Sequence, residues 1–185
     1  MKKKTRVIKA AMALIEKQGY EKTSVSQIVK EAGIAQGTFY LYFKTKSDLV
    51  PEIAKLILHE QFQLVRKYYD KTNKTYDDLI LCLVKGTYEL TRVRKTLINV
   101  LYSGLAFDDS FELWEEAYRP YYEWLEAQLK AHPGLSSKRA FVKLIVGVIE
   151  NSAEKFYLFN QHEQQVETSM NDVVLFLKSI KMKEE

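Results

Sequence analysis

Residues 23–46 read TSVSQIVKEAGIAQGTFYLYFKTK, and this stretch decides the fold. Ser24 followed by Gln27 has the pattern of a capping box, in which each side chain satisfies the other residue's backbone amide at a helix start. Val25, Ile28, Val29 and Ala32 then recur at helical spacing and share one face. Gly33 closes this helix, and Ile34 packs in the turn. A second short helix is expected at about 36–43. Phe39 and Phe43 stand four apart on its inner face. Gln36 and Tyr40 share a different face, flanked by Thr38 and Tyr42. Two short helices around a Gly-Ile-Ala turn outline a helix-turn-helix. Helices this short are not stable alone, so neighbours must hold them.

The outward residues have the chemistry of DNA recognition. Glutamine can hydrogen-bond adenine in the major groove, and Thr and Tyr can reach bases or phosphates. Lys44 and Lys46, just behind, can neutralise phosphate. Gly37 carries no side chain and lets the backbone approach closely. The competing use of Tyr40 and Tyr42 is to cover a small core, but Phe39 and Phe43 already supply one.

Working outward, residues 5–18 form a first helix with Ile8, Ala11, Met12 and Ile15 on one face and Gly19 after its end. Lys2, Lys3, Lys4 and Arg6 at its start oppose the helix dipole, a cost that a nearby phosphate or a disordered arm would remove. Residues 1–50 hold ten Lys and Arg against four Asp and Glu, whereas residues 51–185 hold 18 against 20. A basic first part on a near-neutral body implies an anionic partner for that part alone, or a solvated tail. The opening MKKKTRVIKAAMALI resembles a signal peptide, but Lys9 interrupts it and no small-residue cleavage site follows. No apolar run approaches the roughly 18 residues of a membrane span, and a cytoplasmic protein is expected. Cys82 is the single cysteine, so no intramolecular disulfide can form, and a reducing compartment fits.

Residues 5–50 resemble the DNA-binding domain of the TetR/AcrR family of transcriptional regulators. The resemblance rests on AAMALIEKQGY followed by TSVSQIVKEAGIAQGTFYLYFKTKSDL, and most densely on the G-x-x-x-G-T-x-Y-x-x-F-x-x-K spacing from Gly33 to Lys46. It implies that Gln36, Thr38, Tyr40 and Tyr42 face DNA, and that Thr23, Ser24 and Lys46 contact or orient toward phosphates. Ala35 departs from the Ser or Thr common at that position and cannot cap, which weakens the helix start by about 1 kcal/mol. Tyr42 stands where His is common and keeps a donor there.

A fourth helix is expected to start after Thr45, with Asp48 at its third position and Pro51 making the first turn irregular, and to run to about Tyr69. The stretch DKTNKT, residues 70–75, reads as a linker. Further helices are expected at about 76–94, 96–106, 110–130, 137–161 and 165–181. With three prolines and seven glycines in the whole chain, the expected class is all-α, with about nine helices. The expected division is a helix-turn-helix domain at 1–50, a connecting helix at 46–69, and a helical ligand-binding and dimerisation domain at 70–185.

Phe111, Trp114, Tyr118, Tyr122, Leu125 and Leu129 make a stripe at three- and four-residue steps, and Tyr88, Tyr102 and Phe107 precede it. Core packing explains many such stripes. Tyr and Trp also carry polar groups that need partners when buried, which suits a small-molecule cavity. Tyr88, Tyr102, Phe107, Phe111, Trp114, Tyr118 and Tyr122 are the candidate lining, and the resemblance implies an inducer in this domain. Glu150 interrupts an apolar helix, either to meet a cationic ligand or on a solvated face. Val166, Met170, Val173, Leu177 and Ile180 form a helical seam, matched by Val142, Val146, Ile149, Ala153 and Tyr157. Both seams could pack within one subunit. The resemblance implies instead a dimer interface, with Val146, Ile149, Ala153, Tyr157, Val173, Leu177 and Ile180 as its candidates.

The expected function is a ligand-responsive DNA-binding regulator, a repressor that holds a palindromic operator as a homodimer and is released by a small-molecule inducer. Its partners would be double-stranded operator DNA, a second copy and the effector, with no membrane, cofactor or metal. An enzyme is disfavoured because His59, His132 and His162 are scattered and no phosphate-cradling glycine loop exists. HEQF at His59 lacks the second His of a zinc motif. The remaining alternative, a helical ligand-binding or scaffold protein without DNA binding, is opposed by the basic first part and outward Gln36 and Tyr40.

Overall fold

A computed structural model of the chain describes residues 2–101, 111–129, 137–159 and 163–180. Among them are eight α-helices and a 3-10 turn, Glu163–Gln165, with no strand. The helices are α1 (Lys3–Gln18), α2 (Val25–Ala32), α3 (Gln36–Tyr40), α4 (Leu49–Tyr69), α5 (Tyr76–Val100), α6 (Phe111–Gln128), α7 (Lys138–Leu158) and α8 (Val166–Ser179). The all-α expectation is met, and the elements fall close to where the apolar periodicity puts them.

Three boundaries differ. The helix expected at about 36–43 ends at Tyr40, so Phe43 lies just beyond it. The helix expected to end near residue 94 continues through Lys95 to Val100, because Leu97 and Ile98 carry the buried face onward. The fourth helix starts at Leu49, later than Thr45 implied. The Asp48 carboxylate instead accepts from the backbone amides of Lys44 (2.7 Å) and Thr45 (3.0 Å) and closes the turn before the helix.

The chain folds as two compact units that interleave in sequence. One comprises Met1–Ile57 and Arg94–Phe111, the other Leu58–Val93 and Glu112–Glu185. The end of α5 therefore clusters with the N-terminal helices, while α5 up to Val93, α6 from Glu112, α7 and α8 form the second unit with the later part of α4.

In the first unit, Val7, Ala11 and Ile15 of α1, Ile28 of α2 and Phe39 of α3 are fully buried. The α2 capping box forms as its sequence requires: the Ser24 hydroxyl accepts from the Gln27 amide (3.2 Å), and Gln27 Oε1 accepts from the Ser24 amide (2.8 Å). Gly33 ends α2 in the left-handed region at φ 62°, a conformation cheap only for glycine. In the second unit, Val65, Leu79, Ile80, Leu83, Tyr88 and Phe156 are among the residues of one core drawn from α4 to α8. A Cβ on Gly86 would come within 2.7 Å of Val65 Cγ2, so glycine there sets the approach of α5 to α4.

Candidate nucleic-acid interface and interior ligand site

Helix α3 is five residues long, and no side chain caps it, as Ala35 implies. Its hold on the protein is Phe39, fully buried, and Phe43 just beyond it, 3% exposed. Their rings meet at 5.5 Å. Burying side chains of this size contributes about 1.5–3 kcal/mol each, enough to fix a helix that could not form alone. With the two Phe inward, Gln36, Gly37, Tyr40, Tyr42 and Lys44 are exposed, and Thr38 is half-buried beside them. Tyr40 is 52% exposed and touches Phe39 only edge-on, at 5.3 Å. Among the described residues, nothing beyond its chain neighbours and its own helix backbone lies within 4 Å of a Cβ built on Gly37, so its backbone is open to an incoming surface. Ser24 is also exposed.

Two expected phosphate contacts are turned toward the protein. Thr23 is 1% exposed, and its hydroxyl donates to the Gly19 carbonyl at 2.8 Å. It locks the turn between α1 and α2 and has no surface to give DNA. Lys46 is half-buried, donates to the Tyr20 carbonyl at 2.9 Å and lies 4.0 Å over the Tyr20 ring. It ties the segment after α3 to the segment after α1. Sequence spacing cannot show such side-chain-to-backbone ties between distant segments. The same holds for Lys4, which pairs with Glu52 at 2.8 Å. Burial pushes the Glu52 carboxyl up, but Lys4 and Lys55 hold it below its usual value.

The candidate lining residues do not all come together. Tyr102 and Phe107 lie outside the described residues, as does the side chain of Phe111. Tyr88 is buried, and its hydroxyl bonds Ser152 (2.9 Å) and Ser169 (2.8 Å), joining α5, α7 and α8. Tyr118 meets α7 elsewhere, donating to Glu150 at 2.8 Å. Glu150 and Ser152 are two residues apart, roughly 200° around the helix, so Tyr88 and Tyr118 address different faces of α7. Ser152 and Ser169 instead border open grooves of about 360 and 480 Å³ between α7 and α8.

Trp114, Tyr118 and Tyr122 do form a group along α6. Tyr118 stacks on Tyr122 at 5.0 Å and 18°, and Trp114 follows at 6.4 Å from Tyr118. Arg139 and Lys143 of α7 lie over the Tyr122 ring at 5.5 and 5.9 Å. They pair with Glu126 (2.7 Å) and Glu115 (2.7 Å). Deeper in the unit, Gln61 of α4 is 5% exposed and donates to the second oxygen of Glu150 at 2.8 Å. Glu150 is therefore half-buried, with its carboxylate turned toward α4 and α6. Burial, only partly offset by Gln61 and Tyr118, pushes its carboxyl up to about 7. Tyr121 is 2% exposed, and its hydroxyl is buried without a well-formed hydrogen bond among the described residues. Burial first, then the nearby Glu150 charge, pushes that phenol well above its usual value, although Gln61 is close enough to oppose the shift. Gln61 and Tyr121 were not readable as site residues, since each sits in an ordinary amphipathic helix.

The expected dimer seam is largely turned inward. Val146, Ile149, Ala153 and Leu177 are at most 2% exposed, and Val173 is 8% exposed, all within the single chain. Tyr157 and Ile180 are half-buried against the same core. Residues already buried have little area left for a partner. A heptad pattern shows that a helix has an apolar seam but not which surface the seam meets. The outward stripes of α7 and α8 carry Leu144 (60% exposed), Val148 (37%), Leu175 (67%) and Phe176 (55%).

An exposed recognition face on a helix-turn-helix, followed by a second all-helical unit, defines a DNA-binding regulator. Residues 7–53 match the profile of bacterial regulatory proteins of the tetR family, and residues 80–180 that of the tetracyclin repressor-like C-terminal domain. The chain is 39% identical over 182 residues to the HTH-type transcriptional regulator YvdT of Bacillus subtilis, spanning 94% of this chain and 92% of that protein. Among solved structures, FadR of Bacillus subtilis, in complex with stearoyl-CoA, is 24% identical with a TM-score of 0.70, covering 96% of this chain and 98% of that one. A TetR-family regulator from Streptomyces coelicolor is 14% identical with a TM-score of 0.71, covering 97% and 100%. The chain belongs to the TetR family of DNA-binding transcriptional regulators and is not an enzyme. Among the described residues no helix is long and apolar enough to cross a membrane, and no cluster of His, Cys, Asp or Glu could hold a metal.

Proposed function

We propose that this regulator is a dimeric cytoplasmic repressor that holds a palindromic operator through α3 and releases it when a small molecule occupies its second unit. The observation that carries the DNA half is the division of α3: Phe39 and Phe43 are buried while Gln36, Tyr40 and Tyr42 are exposed. Ser24, Gly37, Thr38 and Lys44 complete the contact face. Thr23 and Lys46 position the motif rather than touch phosphate. In this reading residues 1–50 bind DNA, 46–69 connect, and 70–185 bind ligand and dimerise.

Two copies of α3 across a dyad read half-sites roughly 34 Å apart on B-DNA. The exposed apolar stripes of α7 and α8 support pairing of two copies through those helices. A ligand releases DNA by favouring the conformation in which the two recognition helices no longer match successive major grooves. The inward tyrosines and Glu150 support a ligand site built from α4, α6 and α7, and the structural likeness to an acyl-CoA-binding regulator supports small-molecule control.

The test is binding to the DNA upstream of the protein's own gene, followed by fluorescence anisotropy. The wild type is expected to bind and to lose affinity steeply with salt. Tyr40→Ala combined with Gln36→Ala is expected to abolish specific binding, and unchanged affinity in that variant would overturn the assignment.

A further inference from the structure

Among the described residues, the Glu150 carboxyl has no cationic partner. Its two carboxylate oxygens accept from Gln61 of α4 and Tyr118 of α6, both neutral donors at 2.8 Å. The charges facing it from its own helix add to the imbalance, since Glu154 acts on it as a like charge. From α6 it meets Tyr118, Tyr121 and Tyr122, whose hydroxyls all feel its charge. On the α6–α7 face, Arg139 pairs through Nε with Glu126 and Lys143 pairs with Glu115, while Arg139 Nη1 is buried without a hydrogen-bond partner among the described residues; neither cation pairs with Glu150. Tyr121 adds a second sign of an incomplete site: its hydroxyl is buried where it feels the Glu150 charge, and among the described residues it has Gln61 nearby but no well-formed hydrogen bond. Carboxylates are costly to bury without a positive partner, and the cost falls when one arrives.

The surrounding rings complete the chemistry. Phe62 packs on Tyr121 at 5.3 Å and on Trp124 at 5.6 Å. Aromatic faces beside a half-buried carboxylate are the combination that attracts an organic cation. We propose that Glu150, with the tyrosines of α6, is the recognition point for an effector carrying a positively charged nitrogen on an apolar chain or ring. An anionic headgroup placed there would face Glu150 as a like charge. This inference rests on the ligand-responsive regulator reading and names the class of its ligand.

The experiment uses the full chain and two probes with the same alkyl chain and opposite heads, decyltrimethylammonium and decanoate. Binding is followed by calorimetry, and operator release by anisotropy. The wild type is expected to bind the cation and not decanoate. Glu150→Gln, which keeps the shape and removes the charge, is expected to weaken the cation by about tenfold or more without changing operator binding in the absence of probe. Tyr118→Phe keeps the charge and is expected to retain cation binding. Equal or tighter binding of decanoate, unchanged cation affinity in Glu150→Gln, or no cation binding at millimolar concentration would each overturn the proposal. If Glu150→Gln does not fold, the wild type answers alone: cation affinity must rise with pH around the value of about 7 at which the carboxyl ionises, and a flat profile overturns the assignment. Operator release by decanoate or stearoyl-CoA without any response to the cation would remove this inference and leave the regulator standing. Failure of the wild type to bind its operator would remove the regulator reading, while calorimetry would still decide the role of Glu150.

Discussion

Arg6 closes the end of helix α2 from the start of helix α1: its Nη2 donates to the carbonyl of Ala32 and, at 3.3 Å, to that of Gly33. The last carbonyls of a helix have no partner of their own, and a guanidinium there also suits the helix dipole. The same atom would lie 2.8 Å from a Cβ added at Gly33, whose φ is +62°. Gly33→Ala therefore combines a left-handed strain of about 1–2 kcal/mol with displacement of Arg6. Arg6→Ala is expected to cost about 1–2 kcal/mol through the lost charged hydrogen bond. In the double variant the costs should sum to less than the two singles, because the clash disappears with the arginine. Urea unfolding of the four proteins measures this, and strict additivity would show that Arg6 does not sit against Gly33 in solution.

Phe39 and Tyr40 are neighbours in sequence with opposite duties. Phe39→Ala is expected to lower stability by about 3–5 kcal/mol, the usual cost of emptying an aromatic core position. Operator binding would be lost with the fold of α3. Tyr40→Ala should leave stability within about 0.5 kcal/mol, as for exposed positions, yet weaken specific DNA binding. Thermal unfolding alongside operator titration separates the two. Equal loss of stability in both variants would mean that Tyr40 belongs to the core.

The stripes on the outer faces of α7 and α8 predict where two copies meet. Phe176→Glu, at a position 55% exposed in the single chain, is expected to leave the protein folded and convert dimer to monomer, read by sedimentation. Val146→Ala is expected to lower stability by about 0.5–1.5 kcal/mol, a small core truncation, and to leave the assembly state alone. A dimer untouched by Phe176→Glu would place the interface elsewhere.

The contrast shows what the sequence could and could not reveal. Capping at Ser24 and Gln27, the left-handed Gly33 and the inward pair Phe39 and Phe43 are local features, set by residues within a turn of one another, and they were readable. The facing of Val146 and Ile149 was not, because periodicity defines a seam without defining what fills it. The ties from Lys46 to Tyr20 and from Gln61 to Glu150 bridge 26 and 89 residues. Only the packed helices bring those groups together. The interior polar site was half visible, in that Glu150 interrupted an apolar run, but its partners on α4 and α6 had no signature of their own.

Glu150 also makes stability depend on pH in a direction opposite to that of a salt-bridged carboxylate. Its carboxyl is pushed from an ordinary 4.5 up to about 7 in the folded protein, chiefly by burial. Below the unfolded value the group is protonated in both states and costs nothing. As pH rises from about 4.5 to about 7, the unfolded chain releases this proton more readily than the folded one, so folding is disfavoured. Above that window the penalty is complete, at most on the order of 3 kcal/mol, since one pKa unit is worth about 1.4 kcal/mol. The Glu150→Gln variant carries no such ionisation. Its stability relative to the wild type is expected to increase steadily between about pH 5 and pH 8, measured by denaturant unfolding at each pH. A bound organic cation should remove most of that difference by favouring the ionised carboxylate in the folded state. A wild type and variant whose stabilities run parallel across this range would show that Glu150 keeps an ordinary carboxyl group, open to water.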